Sequence, residues 1–202
     1  RTPTVIGAAE KEVVLNATKT TTGTSSVVEV QSLTPILAAN QRAVTLTVGS
    51  TVITTSPLDA TPTVAEIVAL ISANGAYAAA PFTVAVDGTD STKINITWKA
   101  AGDVNTTATL TQYTPLVAND IVRVTIGAMR YELIVGLGVT LVNTTTNTSS
   151  SGTNELAYNT SSGTWTLNVP TNLTDGTYDV QVSSTAGSLT KSDISSAELV
   201  ID

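Results

Sequence analysis

Asp87 and Asp90 stand close together in the run VDGTD, and Asp103 follows a glycine in AAGDV, with the apolar-alternating run Ile94 to Trp98 between the two loops. Carboxylates so placed have three uses. They ligate a hard cation such as Ca2+, which gathers about 6 to 8 oxygens and accepts backbone carbonyls. They act as acid and base on a glycosidic bond, which requires convergence in a cleft that raises one pKa. Or they accept hydrogen bonds from the backbone of their own turns. Calcium at Asp87 and Asp90 is the candidate chemistry here. Asp103 is expected at the opposite end of the strand, so it joins them only if its loop folds back.

The remaining chemistry is bounded by what is missing. Cys and His are both absent, so a Cys or Ser/His/Asp nucleophile, a zinc site of the usual ligands and an imidazole base are all excluded. The 16 acids permit a glycosidase pair arithmetically, but one Phe, two Trp and five Tyr, evenly spread, offer no aromatic cleft for a sugar. The chain is therefore expected not to be an enzyme. For sugar binding on a flat surface, only Tyr77, Tyr113, Tyr131 and Tyr158 are candidates, and alternation turns Tyr131 and Tyr158 inward. A net charge of −7 with only nine scattered basic residues argues against nucleic acid and anionic membranes. The longest apolar run, Leu133 to Val142, is too short and too glycine-broken to span a bilayer, so membrane insertion is not expected.

The elements that must carry these residues are mostly strands. The chain is rich in Thr and Val, which favour pleated, half-buried surfaces, and only 12% of its residues are charged. Alternating runs recur at Glu12–Leu15, Val27–Gln31, Ala43–Val48, Thr51–Thr54, Phe82–Val86, Ile94–Trp98 and Ala108–Gln112. A second series follows at Ile121–Ile126, Arg130–Val135, Val139–Val142, Asn154–Tyr158, Thr164–Val169, Thr177–Ser183 and Ala197–Ile201. Period-2 alternation with polar turns predicts an all-β-dominated fold of the sandwich type. One segment differs: Val64, Ile67, Val68 and Ile71 fall at helical spacing, with a Thr63/Glu66 capping box before them and Asn74-Gly75 after. This predicts one helix over about residues 63–73. The polar stretch around Pro115 predicts a boundary between a β-rich domain with that helix, residues 1–115, and an all-β domain, residues 116–202.

From about Val117 onward the sequence resembles the tandem immunoglobulin-like repeats of giant bacterial surface adhesins, the biofilm-associated and type I secreted RTX proteins. The residues that carry the resemblance are Trp165 in GTWTLNVP, the run LTDGTYDVQV from Leu173 to Val182, and the closing AELVID. The resemblance covers the second half only. It implies an Ig-like sandwich, Leu173 with Tyr178 forming a tyrosine corner, and a role in cell adhesion as one of many tandem repeats at the cell surface. It also implies calcium at the junction with a following repeat, through Asp202 and Glu198, although TAGSLTKSD departs from the acidic cluster usual there. Asp175 is assigned to its turn, Asp179 to the face opposite Tyr178, and Asp193 is a further oxygen donor.

The expected role is thus a non-catalytic extracellular spacer or anchor whose partners are neighbouring domains or identical subunits. The rival is a self-assembling S-layer or filament subunit that donates a strand, Glu10 to Asn16, to another copy. A carbohydrate-binding module comes third. Sequons at Asn16, Asn95, Asn105, Asn143, Asn147, Asn159 and Asn172 are potential glycosylation sites. NTTTNTSSSGTN, from Asn143 to Asn154, reads as a solvated loop.

Overall fold

The computed structural model describes residues 4–37, 42–127, 129–136, 138–143, 148–150, 156–168, 175–186 and 189–201. In chain order the strands are β1 (Thr4–Ala8), β2 (Glu10–Asn16), β3 (Thr18–Thr21), β4 (Val28–Leu33), β5 (Thr45–Val48) and β6 (Thr51–Thr54). Helix α1 (Val64–Ala73) and a short 3-10 turn, Gly75–Tyr77, come next, then β7 (Phe82–Val86), β8 (Ile94–Ala101) and β9 (Thr109–Pro115). The second half holds β10 (Ile121–Ile126), β11 (Met129–Ile134), β12 (Gly138–Asn143), β13 (Thr148–Ser150), β14 (Leu156–Asn159), β15 (Thr164–Asn168), β16 (Gly176–Ala186) and β17 (Leu189–Ile201). The expected β-dominated fold with a single helix is what forms.

The chain divides into two compact units, but not as two successive domains. Residues 12–114 form one unit, and residues 1–11 join 115–202 in the other. The expected first domain of 1–115 is corrected at its start. β1 pairs antiparallel with β15, from Thr4 opposite Asn168 to Ala8 opposite Thr164. Local periodicity carries no information about a partner so distant in sequence.

In the unit of 1–11 and 115–202, one sheet has the order β1-β15-β14 and the other β13-β12-β11-β10-β16-β17. An immunoglobulin-like sandwich opposes sheets in which strand E lies between B and D, and F between C and G, with C′ and C″ added beside C in the variable type. β1, β15 and β14 occupy the places of B, E and D. β10, β16 and β17 occupy those of C, F and G, and β11 and β12 those of C′ and C″. The fold is Ig-like, and residues 12–114 are inserted between its B and C strands. Its core is Val122, Val124, Ile126, Tyr131, Leu133, Leu156, Trp165, Leu167 and Val180, contributed by both sheets. Gly7 lies in register with Trp165, and a Cβ there would sit 2.8 Å from the indole ring. Only glycine lets β1 lie this close to the buried Trp.

The inserted unit holds sheets of order β2-β9-β5-β6 and β3-β4-β8-β7. Leu46, Ile53 and Leu110 of the first and Phe82, Ile94, Ile96 and Trp98 of the second share one core with Val64, Ile67 and Ile71 of the helix. The capping box forms: the Glu66 amide donates to Thr63 Oγ1 at 3.1 Å and the Thr63 amide to Glu66 at 3.4 Å. Asn74 ends the helix, its side chain accepting the Ala76 amide at 3.0 Å as the 3-10 turn begins.

Sheet β2-β9-β5-β6 takes up Glu10–Asn16 within the chain, the stretch expected as a strand donated to another copy. Part of the expected loop Asn143 to Asn154 is strand, since Thr148–Ser150 pairs with Leu141–Asn143; 144–147 and 151–154 lie outside the described residues. Among the described residues, no helix is long and apolar enough to cross a membrane.

Candidate functional site

The β7–β8 connection carries the two acids expected as calcium ligands, and their oxygens are largely taken by their own turn. Asp87 Oδ1 accepts from the Thr89 amide at 2.7 Å, Thr89 Oγ1 at 2.7 Å and the Asp90 amide at 2.9 Å; Oδ2 accepts from Asn95 Nδ2 at 2.7 Å. Asp90 Oδ1 accepts from the Thr92 amide and hydroxyl, and Oδ2 pairs with Lys93 Nζ at 2.9 Å. The Thr89 hydroxyl and these amides hold the Asp87 carboxyl far below its ordinary range. Thr92 and Lys93 hold that of Asp90 at about 2. Among the described residues no group of three acids converges on a common point.

Asp103 sits at the far end of β8, as its loop position implies, and belongs to a different cluster. Glu29 on β4 is fully buried. Its Oε2 accepts the Val104 amide at 2.7 Å and pairs with Lys19 Nζ at 2.8 Å, while Oε1 accepts from Gln31 Nε2 at 2.7 Å. Gln31 also donates to the Thr106 carbonyl and accepts the Ala108 amide. Lys19 bonds Asp103 and the Val104 carbonyl. Burial pushes the Glu29 carboxyl up, but Lys19, Gln31 and the Val104 amide outweigh it and bring it down to about 2. Sequence reading missed this network, because a buried Glu inside the apolar-alternating VVEVQ looks like an outward-facing residue.

A second polar cluster in the Ig-like unit closes the place where the chain leaves and returns. Tyr158 Oη donates to the Ala9 carbonyl at 2.5 Å and accepts the Leu116 amide at 2.8 Å. Desolvation pushes its phenol up to about 12. Asp120 accepts the Val117 amide at 2.8 Å and pairs with Lys11 at 3.3 Å, and Ser184 Oγ donates to the Glu10 carbonyl at 3.1 Å.

The four candidate tyrosines do not form an exposed sugar platform. Tyr131 is buried, and Tyr158 is in the cluster just described. Tyr77 packs edge-on against Phe82 and accepts the Val84 amide, while Arg42 stacks 4.9 Å above the ring of Tyr113. Trp165 is core, as expected. Tyr178 packs over Gly127, and the turn its hydroxyl was expected to reach includes residues outside the described ones. Asp175 and Asp179 are exposed. Asp202 lies outside the described residues, as do the side chains of Glu198 and Asp193. Of the sequons, Asn16, Asn105 and Asn159 are exposed, Asn95 is bound to Asp87, and the side chains of Asn143, Asn147 and Asn172 are outside the described residues.

An open cavity of about 490 Å3 lies beside the Asp87–Lys93 connection, lined also by Asn16, Thr18, Thr20, Ser32 and Thr34. Comparison with family models, curated proteins and solved structures finds no match to the chain.

Proposed function

We propose that the chain is a non-catalytic, extracellular module of a bacterial surface adhesin, acting as a spacer or anchor between neighbouring domains. The observation that carries this reading is the use made of its charged groups. Glu29, Asp87, Asp90, Asp120 and Glu132 are bound in ion pairs or turns. The carboxyls of Glu29, Asp87 and Asp90 are all held low, opposite to the direction a general acid needs. Absent Cys and His, the low charge and the Trp165 and Tyr178 motifs of the Ig-like unit support the same role. In this reading Asp202 and Glu198 contribute to calcium at a junction with a following repeat, and Asp87 and Asp90 stay with their turn.

A self-assembling subunit is the second reading, favoured by β1. Among the described residues it is an edge strand of its sheet, and Ile6 on it is 68% exposed, which invites strand addition from another copy. Light scattering and negative-stain microscopy, in calcium and in EDTA with parallel melting, separate the two. The module predicts monomers; a lower melting temperature in EDTA would add the calcium junction. Filaments or sheets would reject the spacer.

A further inference from the structure

The inserted unit turns one polar sheet face outward. On β4, Glu29, Gln31 and Leu33 point into the unit, so alternation places Ser32 on the opposite face. There Thr18, Ser32 and Asn95 form a row across three strands, Thr18 opposite Ser32 and Ser32 opposite Asn95. The β7–β8 connection bends back to this row, where Asp87 accepts from Asn95 Nδ2. That acceptor fixes the amide orientation and leaves Asn95 Oδ1 on the other side.

The cavity of about 490 Å3 is lined by Thr18 and Ser32 of this row and falls within the range of small-molecule sites. Ser32 lines it and is only 7% exposed, yet its Oγ has no hydrogen-bond partner among the described residues. Neighbouring Asn95 Oδ1 is buried and likewise unpartnered among them. A buried polar atom left unpaired is unfavourable unless something else satisfies it, and of these two residues Ser32 is the one that lines the cavity. The rim adds the Thr18 and Thr20 hydroxyls, the Asp90 carboxylate and the Lys93 ammonium.

We propose that this cavity binds a saccharide unit, whose hydroxyls exchange hydrogen bonds with Ser32 Oγ and with the polar groups of the rim. Interleaved donors and acceptors suit a polyhydroxylated ligand. A bare divalent cation is disfavoured, because Lys93 occupies the rim and Asp87 already accepts four hydrogen bonds. Among the described residues no aromatic ring lines the cavity, so recognition rests on hydrogen bonding and is weak. The site is independent of the spacer reading, which stands or falls on oligomeric state.

The test is amide NMR on the isotope-labelled full chain, titrated with the methyl glycosides of glucose, galactose and N-acetylglucosamine, and separately with CaCl2. At least one glycoside should give saturable shifts at Thr18, Ser32 and Thr89. Ser32→Ala, whose spectrum elsewhere reports an intact fold, should weaken binding about fivefold, the effect of one lost hydrogen bond. Lys93→Met on the rim should weaken it as well. No saturable shift with any glycoside, or shifts indifferent to both substitutions, would overturn the proposal. So would a response of these amides to CaCl2 alone, which would make the cavity a cation site.

Discussion

The buried Glu29 shows how a charge is tolerated inside a hydroxyl-rich sandwich: its carboxylate has a cation, an amide side chain and a backbone N–H around it. Removing Lys19 leaves that charge in the core without its counterion. Lys19→Met should destabilise the inserted unit in denaturant titration, because it leaves a fully buried carboxylate without its cation. The same group sets an acid response. A carboxyl at about 2 in the folded chain and near ~4.3 unfolded contributes fully above the unfolded value and loses that contribution as pH falls toward 2. Glu29→Gln should therefore flatten the acid limb of stability between those values, as read by denaturant titration across pH. Tyr158 acts in the other direction. With its phenol raised to about 12, its contribution is full below ~10 and lost as pH rises through the folded value. Tyr158→Phe strands the Ala9 carbonyl and the Leu116 amide and should cost about 1 to 3 kcal/mol. Hydrogen exchange should place that loss in residues 115–202 and not in 12–114.

Single elements divide into those the local sequence announces and those it does not. The helix was legible because its cap, its apolar stripe and its stop coincide within one short segment. The hairpins around Gly49 and Gly127 were legible too, and both glycines adopt positive φ, 60° and 56°. The runs VTLTVGSTVITT and VRVTIGAMRYELIV are alike because each places such a glycine at its hairpin turn. β3, TKTT, was missed because all four residues are exposed and so show no alternation. β1 was missed because its pattern is broken by Gly7, and Gly7 is required by a tryptophan far away in sequence. Of the candidate site, the acids of the β7–β8 loop were legible from type and spacing. Ser32 was not, since an unpaired buried hydroxyl is a property of cross-strand pairing. Gly7→Ala tests the misplaced strand directly: the new methyl meets the Trp165 ring and should cost about 1 to 3 kcal/mol by overpacking. Faster exchange should follow in β14 and β15, with the inserted unit unchanged. A loss confined to residues 12–114 would contradict the pairing.

For the whole chain, insertion changes how a stretching load travels through it. Both ends of this chain belong to the Ig-like unit, and residues 12–114 enter the force path only through the connections after Lys11 and before Pro115. When residues 1 and 202 are pulled apart, the Ig-like unit bears the force and the inserted unit is shielded until β1 separates from β15. Two tandem domains would instead yield in order of mechanical weakness. The distinguishing variant is Ile67→Ala, which empties a fully buried position of the inserted core and should destabilise that unit by about 2 to 5 kcal/mol. In single-molecule stretching, the first rupture should keep its force in this variant, and only the second, which releases roughly 35 nm of chain, should weaken. A first rupture that moves to lower force with Ile67→Ala would mean the units are loaded in series. A protein built in the inserted manner keeps its second unit folded, and any ligand cavity in that unit intact, at forces that already strain the first.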